Sequence, residues 1–228
     1  VMGSSHCEPL LFNTASEWKR DKMGEWDYIN NRAGVDSVLR ARANECAPFE
    51  NVYTLALRGL HDRAMNASND MADRKQMLQD ALMAQRKMLI DATGKRGEDI
   101  PQAFTPYKEV LDVYDEGLEL PDDVTIIWPD DNYGYMKRLS SPKEQKRSGR
   151  SSYLGKPHDH LWMNTTSPTL MYEELRKAYD MTADRIWLLN AGDIKSCEFA
   201  VDFFLSMAYD IDSFNFDRAA TYRTEWLC

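Results

Sequence analysis

The sequence predicts an α/β fold, a TIM-barrel-like (β/α)8 domain that falls short of its full strand complement. Three observations carry this. Short apolar runs each break off into a cluster of charged or amide residues. Helical patterns follow most of them. The alternation yields about six strands, where eight close a barrel. In barrels and open sheets of this kind, functional groups gather at the carboxyl ends of the strands, because rigid strands aim side chains from separate loops at one point.

The elements follow in order. Val1 to Gly3 reads as a strand end running into a loop, Ala15 to Met23 as a short helix, and Val35 to Cys46 as a helix with apolar Val35, Val38, Leu39 and Ala43 at helical spacing. Asn51 to Leu57 is a strand that ends on Arg58-Gly59-Leu60-His61-Asp62. Ala72 to Ala92 carries the longest helical stripe, through Met77, Leu78, Ala81, Leu82, Met88 and Leu89, and Gly94 closes it. Ala103 to Thr105 leads to Pro106-Tyr107-Lys108-Glu109, and a short helix starts there. Val124 to Trp128, almost wholly apolar or β-branched, is the clearest buried strand, and it ends on Pro129-Asp130-Asp131-Asn132. Lys137 to Ser152 is rich in Lys, Arg, Ser, Gly and Pro and reads as a loop around a short helix. Leu161 to Met163 is a strand run before Asn164, and Pro168 opens an amphipathic helix to Met181. Ile186 to Leu189 is a strand before Asn190-Ala191-Gly192-Asp193, followed by helices over 194–209 and at the C-terminal end.

The 228 residues suffice for one domain over 1–228. Because the chain opens inside a strand pattern and stops inside a helical one, it reads as excised from a larger multidomain protein. Thirty-seven acidic against 28 basic residues, a net charge of −9, argue against nucleic acid or an anionic membrane as the main partner. The cysteines Cys7, Cys46, Cys197 and Cys228 are scattered and form no close pair, and no apolar run approaches the length of a membrane span. No cofactor is expected: there is no Gly-rich phosphate loop and no Gly-x-Ser-x-Gly elbow.

The loop residues suggest a chemistry. Asp62, Glu109 and Asp130 arrive from three strand ends. Cleavage of a glycosidic bond needs one carboxylic acid to protonate the leaving oxygen and a second carboxylate to activate water or attack the sugar. Each acid could equally be a helix cap or a first-turn acid. Arg58 could grip a planar carboxylate with two parallel hydrogen bonds, or simply pair with Asp62 four residues on. Trp128, Trp162 and Tyr107 offer faces that could stack on a sugar ring. All four histidines, His6, His61, His158 and His160, fall in these loops, so a metal-dependent barrel hydrolase built on His158 and His160 with Asp62 or Asp130 is an alternative.

Five segments in this order are similar to the catalytic barrel of glycoside hydrolase family 115, the xylan α-glucuronidases. They are Gly3-Ser4-Ser5-His6-Cys7-Glu8-Pro9, Glu50 to Thr54 leading to Arg58 to Asp62, Pro106 to Glu109, Trp128 to Gly134, and Asn190 to Lys195. The resemblance implies removal of α-1,2-linked glucuronic acid, or its 4-O-methyl ether, from glucuronoxylan or aldouronic acid oligosaccharides by an inverting two-carboxylate mechanism. It implies Glu109 as general acid and Asp62 as base, with Asp130 the rival base. Arg58, Tyr107, His6, Trp128, Asn132 and Asn190 would bind substrate, with no metal. It further implies a secreted or periplasmic enzyme and allows a homodimer of the full-length protein. A carbohydrate-binding barrel remnant is the other alternative. Two departures stand out. The family's short strand of Gly, Val, Tyr, Tyr and His, whose His belongs to the active site, has no counterpart between Ser151 and Ser152, and Cys7 stands where the family usually has a second His.

Overall fold

The structure, a computed structural model, describes residues 2–4, 6–131, 133–147, 166–189, 191 and 194–227, and the backbone of 151–155. It divides into two units, 1–125 and 126–228.

In the first unit three short strands run parallel: β1 (Met2–Gly3), β2 (Asn51–Thr54) and β3 (Gln102–Phe104). Met2 pairs with Asn51, and Tyr53 with Gln102. Helix α1 is only Arg20–Met23, shorter than the pattern from Ala15 suggests, because the residues before it form turns. Next come α2 (Arg32–Cys46), α3 (Met71–Thr93) and α4 (Glu109–Asp115). The Asp70 side chain starts α3 by accepting from the Ala72 and Asp73 N–H groups, and Gly94, left-handed at φ 67°, ends it. Leu39, Leu78, Leu82 and Leu89 from α2 and α3 are buried, as are Leu55, Phe104 and Val113. Burial of nearly every residue from Asn51 to Arg58 explains why that run is continuously apolar rather than alternating.

One polar side chain belongs to this core. Gln85 on α3 is 1% exposed; its Oε1 accepts from the Ala56 N–H at 3.0 Å and its Nε2 donates to the Ala56 carbonyl at 2.6 Å. Ala56 lies just past β2 and would otherwise leave a buried donor and acceptor unmatched, so the amide takes the place of a neighbouring strand.

In the second unit β4 (Thr125–Pro129, its first residue at the unit boundary), β5 (Ser151–Gly155) and β6 (Trp187–Leu189) also run parallel, with Trp128 opposite Tyr153 and Leu154 opposite Leu188. Helix α5 (Pro168–Asp180) starts on a Ser167 cap with Pro168 in its first turn, and α6 (Ile194–Tyr209) and α7 (Phe216–Leu227) follow. Leu175, Phe203, Phe204, Met207, Phe214 and Tyr222 form the unit's apolar cluster, and the Tyr222 hydroxyl donates to Asp202 at 2.6 Å.

The α/β class and the strand, loop, helix alternation are as expected. One strand assignment differs. Ser151 and Ser152 open β5 rather than a loop, because hydrogen bonding to β4 on one side and β6 on the other satisfies the backbone whatever the side chains. The strand expected at Leu161 to Met163 lies outside the described residues. The polar stretch before β5 does contain the expected short helix, a single 3-10 turn at Glu144–Lys146. No helix among the described residues is long and apolar enough to cross a membrane.

Candidate active site

The chain leaves β2 through Leu55 to Leu57 and delivers Arg58 into a buried position, 3% exposed. Its backbone carbonyl accepts from the Trp26 indole N–H at 2.7 Å. A buried guanidinium requires partners on every side, and they come from two loops. Nη1 donates to Glu109 Oε2 at 2.8 Å and to the Tyr107 carbonyl at 3.3 Å, while Nη2 donates to the Asp62 carbonyl at 2.9 Å. Nε lies 2.7 Å from Asp62 Oδ1, but its N–H is not aimed at that oxygen, so this contact is charge attraction rather than a hydrogen bond. Arg58 thus gathers two carboxylates that are 51 and 4 residues distant in sequence.

The loops on either side are held in costly conformations. His61 and Asp62 have φ of 55° and 61°, and Lys108, immediately before Glu109, has φ 53°. Non-glycine residues in the left-handed region cost of order 1–3 kcal/mol each and persist only where the surroundings overdetermine them. Here the overdetermination is visible. Gly59 N–H donates to the Arg63 carbonyl at 2.9 Å, closing the loop around the Arg58 to Asp62 contact. Gly59 itself has an ordinary φ of −71°, but a Cβ built on it would stand 2.5 Å from the Ala64 carbonyl oxygen, so the turn is tight in space rather than in angle. The Glu109 carboxylate bridges the loops, since Oε1 accepts from the Met65 N–H at 3.2 Å while Oε2 takes Arg58.

Around this centre His6, carried from β1, places Nε2 3.0 Å from Asp62 Oδ1, and its ring meets the Tyr107 ring edge-on at 4.7 Å. Tyr107 is buried, with the Arg58 guanidinium 5.6 Å and the Lys108 ammonium 5.0 Å from its ring centre. The side chains of Asp62 and Glu109 remain 24% and 23% exposed, so both carboxylates reach solvent from a mostly buried base. That combination suits groups that must meet a substrate.

Residues unremarked in the sequence hold the frame. Asp27 accepts from the Ile29 and Asn30 N–H groups through Oδ1, and from Asn30 Nδ2 and Asn66 Nδ2, both at 2.7 Å, through Oδ2. Burial pushes the Asp27 carboxyl up, but the bonds from Asn30, Ile29 and Asn66 outweigh it and hold it below the usual carboxylate range. The Asn66 contact ties the loop after Asp62 to the segment that also carries Trp26. A turn signal of Asp27 followed by Asn30 was present in the sequence; its partner 39 residues away was not.

In the second unit Asp130 is 3% exposed at the end of β4, where its backbone bridges to Met136. Trp128 departs from expectation. It is 1% exposed, its indole N–H donates to Ser140 Oγ at 2.9 Å, and Arg138 covers its ring at 4.4 Å. A ring so enclosed has no free face for a sugar; it is a packing residue of β4. Arg58 is also not posed as a direct clamp on substrate, because it is 3% exposed and commits Nη1 to Glu109 and the Tyr107 carbonyl and Nη2 to the Asp62 carbonyl. Asn132, Asn190, His158, His160 and Trp162 lie outside the described residues.

The sequence profile described as Glycosyl hydrolase family 115 matches residues 1–228. The chain belongs to glycosyl hydrolase family 115. Among solved structures, this family 115 chain is similar to a 4-O-methyl-α-glucuronidase of the same family with specificity for decorated arabinogalactans. The identity is 41% and the TM-score 0.87, over 92% of this chain and 29% of that one. This chain therefore spans under a third of the length of the solved relative. A comparison with curated proteins found no match. The family is one of glycoside hydrolases, and its assignment rests on the whole chain rather than on the site alone.

Proposed function

We propose that this chain is the catalytic (β/α)8 barrel domain, or part of it, of an α-glucuronidase that removes glucuronic acid or its 4-O-methyl ether from glucuronoxylan. The observation that carries the reading is the junction of Asp62 and Glu109, from separate loops, on the buried Arg58, with His6 and Tyr107 against them. Two partly exposed carboxylates on a rigid cationic base are what glycosidic cleavage requires.

In this mechanism Glu109 gives a proton to the glycosidic oxygen while Asp62 takes one from a water attacking the anomeric carbon, which inverts it. Both Glu109 oxygens act as acceptors here, so the oxygen that carries the proton must first leave Arg58 or Met65. Arg58 acts as a positioning residue, setting the two carboxyls. His6 orients Asp62 and, with Tyr107, lines the sugar. The family resemblance gives Asp130 as the rival base and Asn132 and Asn190 as further substrate-binding residues. The α-1,2 linkage and the xylan backbone follow from the family resemblance. The solved relative's decorated arabinogalactans make such polymers the competing substrate class. Since both are polymers outside the cell, we place the enzyme in a secreted or periplasmic setting; the family resemblance allows a homodimer of the full-length protein.

The test uses aldouronic acids and glucuronic acid-decorated arabinogalactan with the complete chain and its Glu109→Gln and Asp62→Asn variants. Release of glucuronic acid should fall by at least about 100-fold in either variant, and proton NMR of the fresh product should show the inverted anomer. Ordinary turnover by a variant refutes the role given to that residue. Retention at the anomeric carbon refutes Asp62 as a base for water.

A further inference from the structure

Cys7 is adjacent to His6 and has no part in the reading above, yet its sulfur shares a point in space with two of that site's groups. His6, Cys7 and Asp62 each offer one ligand atom, and the three atoms lie within 4.8 Å of one another, with all three residues half-buried. We propose that they form a site for a thiophilic divalent cation, Zn2+ above all, and that its occupation switches the carboxylate site off.

The donor set decides the ion. A thiolate, an imidazole nitrogen and one carboxylate oxygen suit zinc, while magnesium and calcium prefer all-oxygen sites. Tetrahedral zinc with bonds of about 2.0–2.3 Å sets its donors about 3.4–3.6 Å apart. His6 Nε2 and Asp62 Oδ1 stand at 3.0 Å, close to that spacing, so small side-chain rotations admit the ion. In the ion-free site a proton bridges that nitrogen and oxygen. When zinc takes that position, the imidazole's single proton moves from Nε2 to Nδ1, freeing the Nε2 lone pair for the ion, and the Cys7 thiol releases the one proton lost as its sulfur coordinates.

The backbone prepares one side of the site. Asp62 is held at φ 61° by the Arg58 to Asp62 carbonyl bond, so its carboxylate is oriented before any ligand arrives. The charges facing the ion are Arg58 and Glu109. The guanidinium disfavours a second cation, and its Nε stands 2.7 Å from the same Asp62 oxygen, so zinc must draw that oxygen away while Glu109, at 2.8 Å, keeps the guanidinium paired and the Cys7 thiolate adds the second negative charge. Three protein ligands leave the fourth position to water, as in open zinc sites.

Inhibition rests on the role proposed for Asp62, because a carboxylate bound to zinc cannot take a proton from the attacking water. Metal binding itself does not. The test is therefore split. Calorimetric titration of ZnCl2 into the full chain should show one site, with affinity rising about tenfold per pH unit below the ordinary thiol range, as release of one proton requires. Cys7→Ser should weaken it at least about tenfold, and Cys46→Ser should leave it unchanged. Independently of any variant, Co2+ added to the wild-type chain should give near-ultraviolet thiolate-to-metal charge-transfer absorption together with tetrahedral visible bands. Absence of those bands, or equal zinc affinity in Cys7→Ser, overturns the proposal. Zinc that binds through Cys7 yet leaves glucuronic acid release untouched keeps the ion site, and sinks both the switch and Asp62 as base. Inhibition relieved by Cys7→Ser supports both.

Discussion

Removing the Arg58 cation measures how much of the site is held by one group. In Arg58→Met the Tyr107 and Asp62 carbonyls lose their donor, and Glu109 and Asp62 face each other with nothing between them. Breaking a buried ion pair by deleting one partner costs about 3–5 kcal/mol. The value here should lie near the lower end of that range, because both carboxylates keep about a quarter of their surface in water and can be partly rehydrated. An Arg58 that merely paired with Asp62 at the surface would contribute less than about 1 kcal/mol. Glu109→Gln alone should cost about 1–2 kcal/mol by weakening a charged hydrogen bond to a neutral one. The double variant should be less destabilised than the sum by about 2 kcal/mol, since the neutral amide at that position leaves no second uncompensated charge. Urea unfolding followed by circular dichroism at neutral pH on wild type, the two single variants and the double variant gives the coupling directly. Additivity within about 0.5 kcal/mol, or an Arg58→Met cost under about 1 kcal/mol, would show that the guanidinium is not the common base of the two carboxylates.

Three other expectations follow from the frame. Asp27→Asn should destabilise by about 1–2 kcal/mol at neutral pH. The folded pKa of Asp27 is depressed, so its contribution is complete above the unfolded value of about 3.9 and is lost as pH falls through the lower folded one. Wild type and variant should therefore converge in urea midpoint below about pH 3, and a gap that persists there contradicts the hydrogen-bond account. Gly59→Ala keeps an allowed φ but drives a Cβ to 2.5 Å from the Ala64 carbonyl oxygen. It should lower stability by about 1–3 kcal/mol and slow glucuronic acid release, whereas unaltered melting would mean that the turn gives way freely. Gln85→Leu strands the Ala56 N–H and carbonyl in the core at about 1–3 kcal/mol each, checked by thermal unfolding and by accelerated amide exchange at Ala56.

The parts of this molecule that could be read from sequence are those whose physics is local. The strands within the runs Asn51 to Leu57 and Val124 to Trp128, Asn51–Thr54 and Thr125–Pro129, announce themselves because both faces are buried, and the helix over 71–93 because its cap, stripe and terminal glycine lie within one segment. Ser151 to Gly155 was unreadable, since its strand state is conferred by neighbours on both sides. At the site the same division holds. Residue types at strand ends pointed to Asp62, Glu109, Arg58 and Tyr107, and these four do meet. What sequence could not supply was the direction in which each group spends its bonding capacity. An arginine beside acids suggests a clamp for a uronate, but burial obliges it to satisfy the protein first, and it turns toward Glu109 and the two loop carbonyls. An aromatic residue at a strand end suggests a stacking face, but Trp128 sits under Arg138. The roles of Trp26, Asp27 and Asn66 in the frame carried no signal, because each rests on a partner 32 or 39 residues away. The roles of a site's charged and aromatic residues are therefore set by which of their faces the fold has already consumed. That is why the two partly exposed carboxylates, and not the arginine between them, are the groups we propose to act on a sugar.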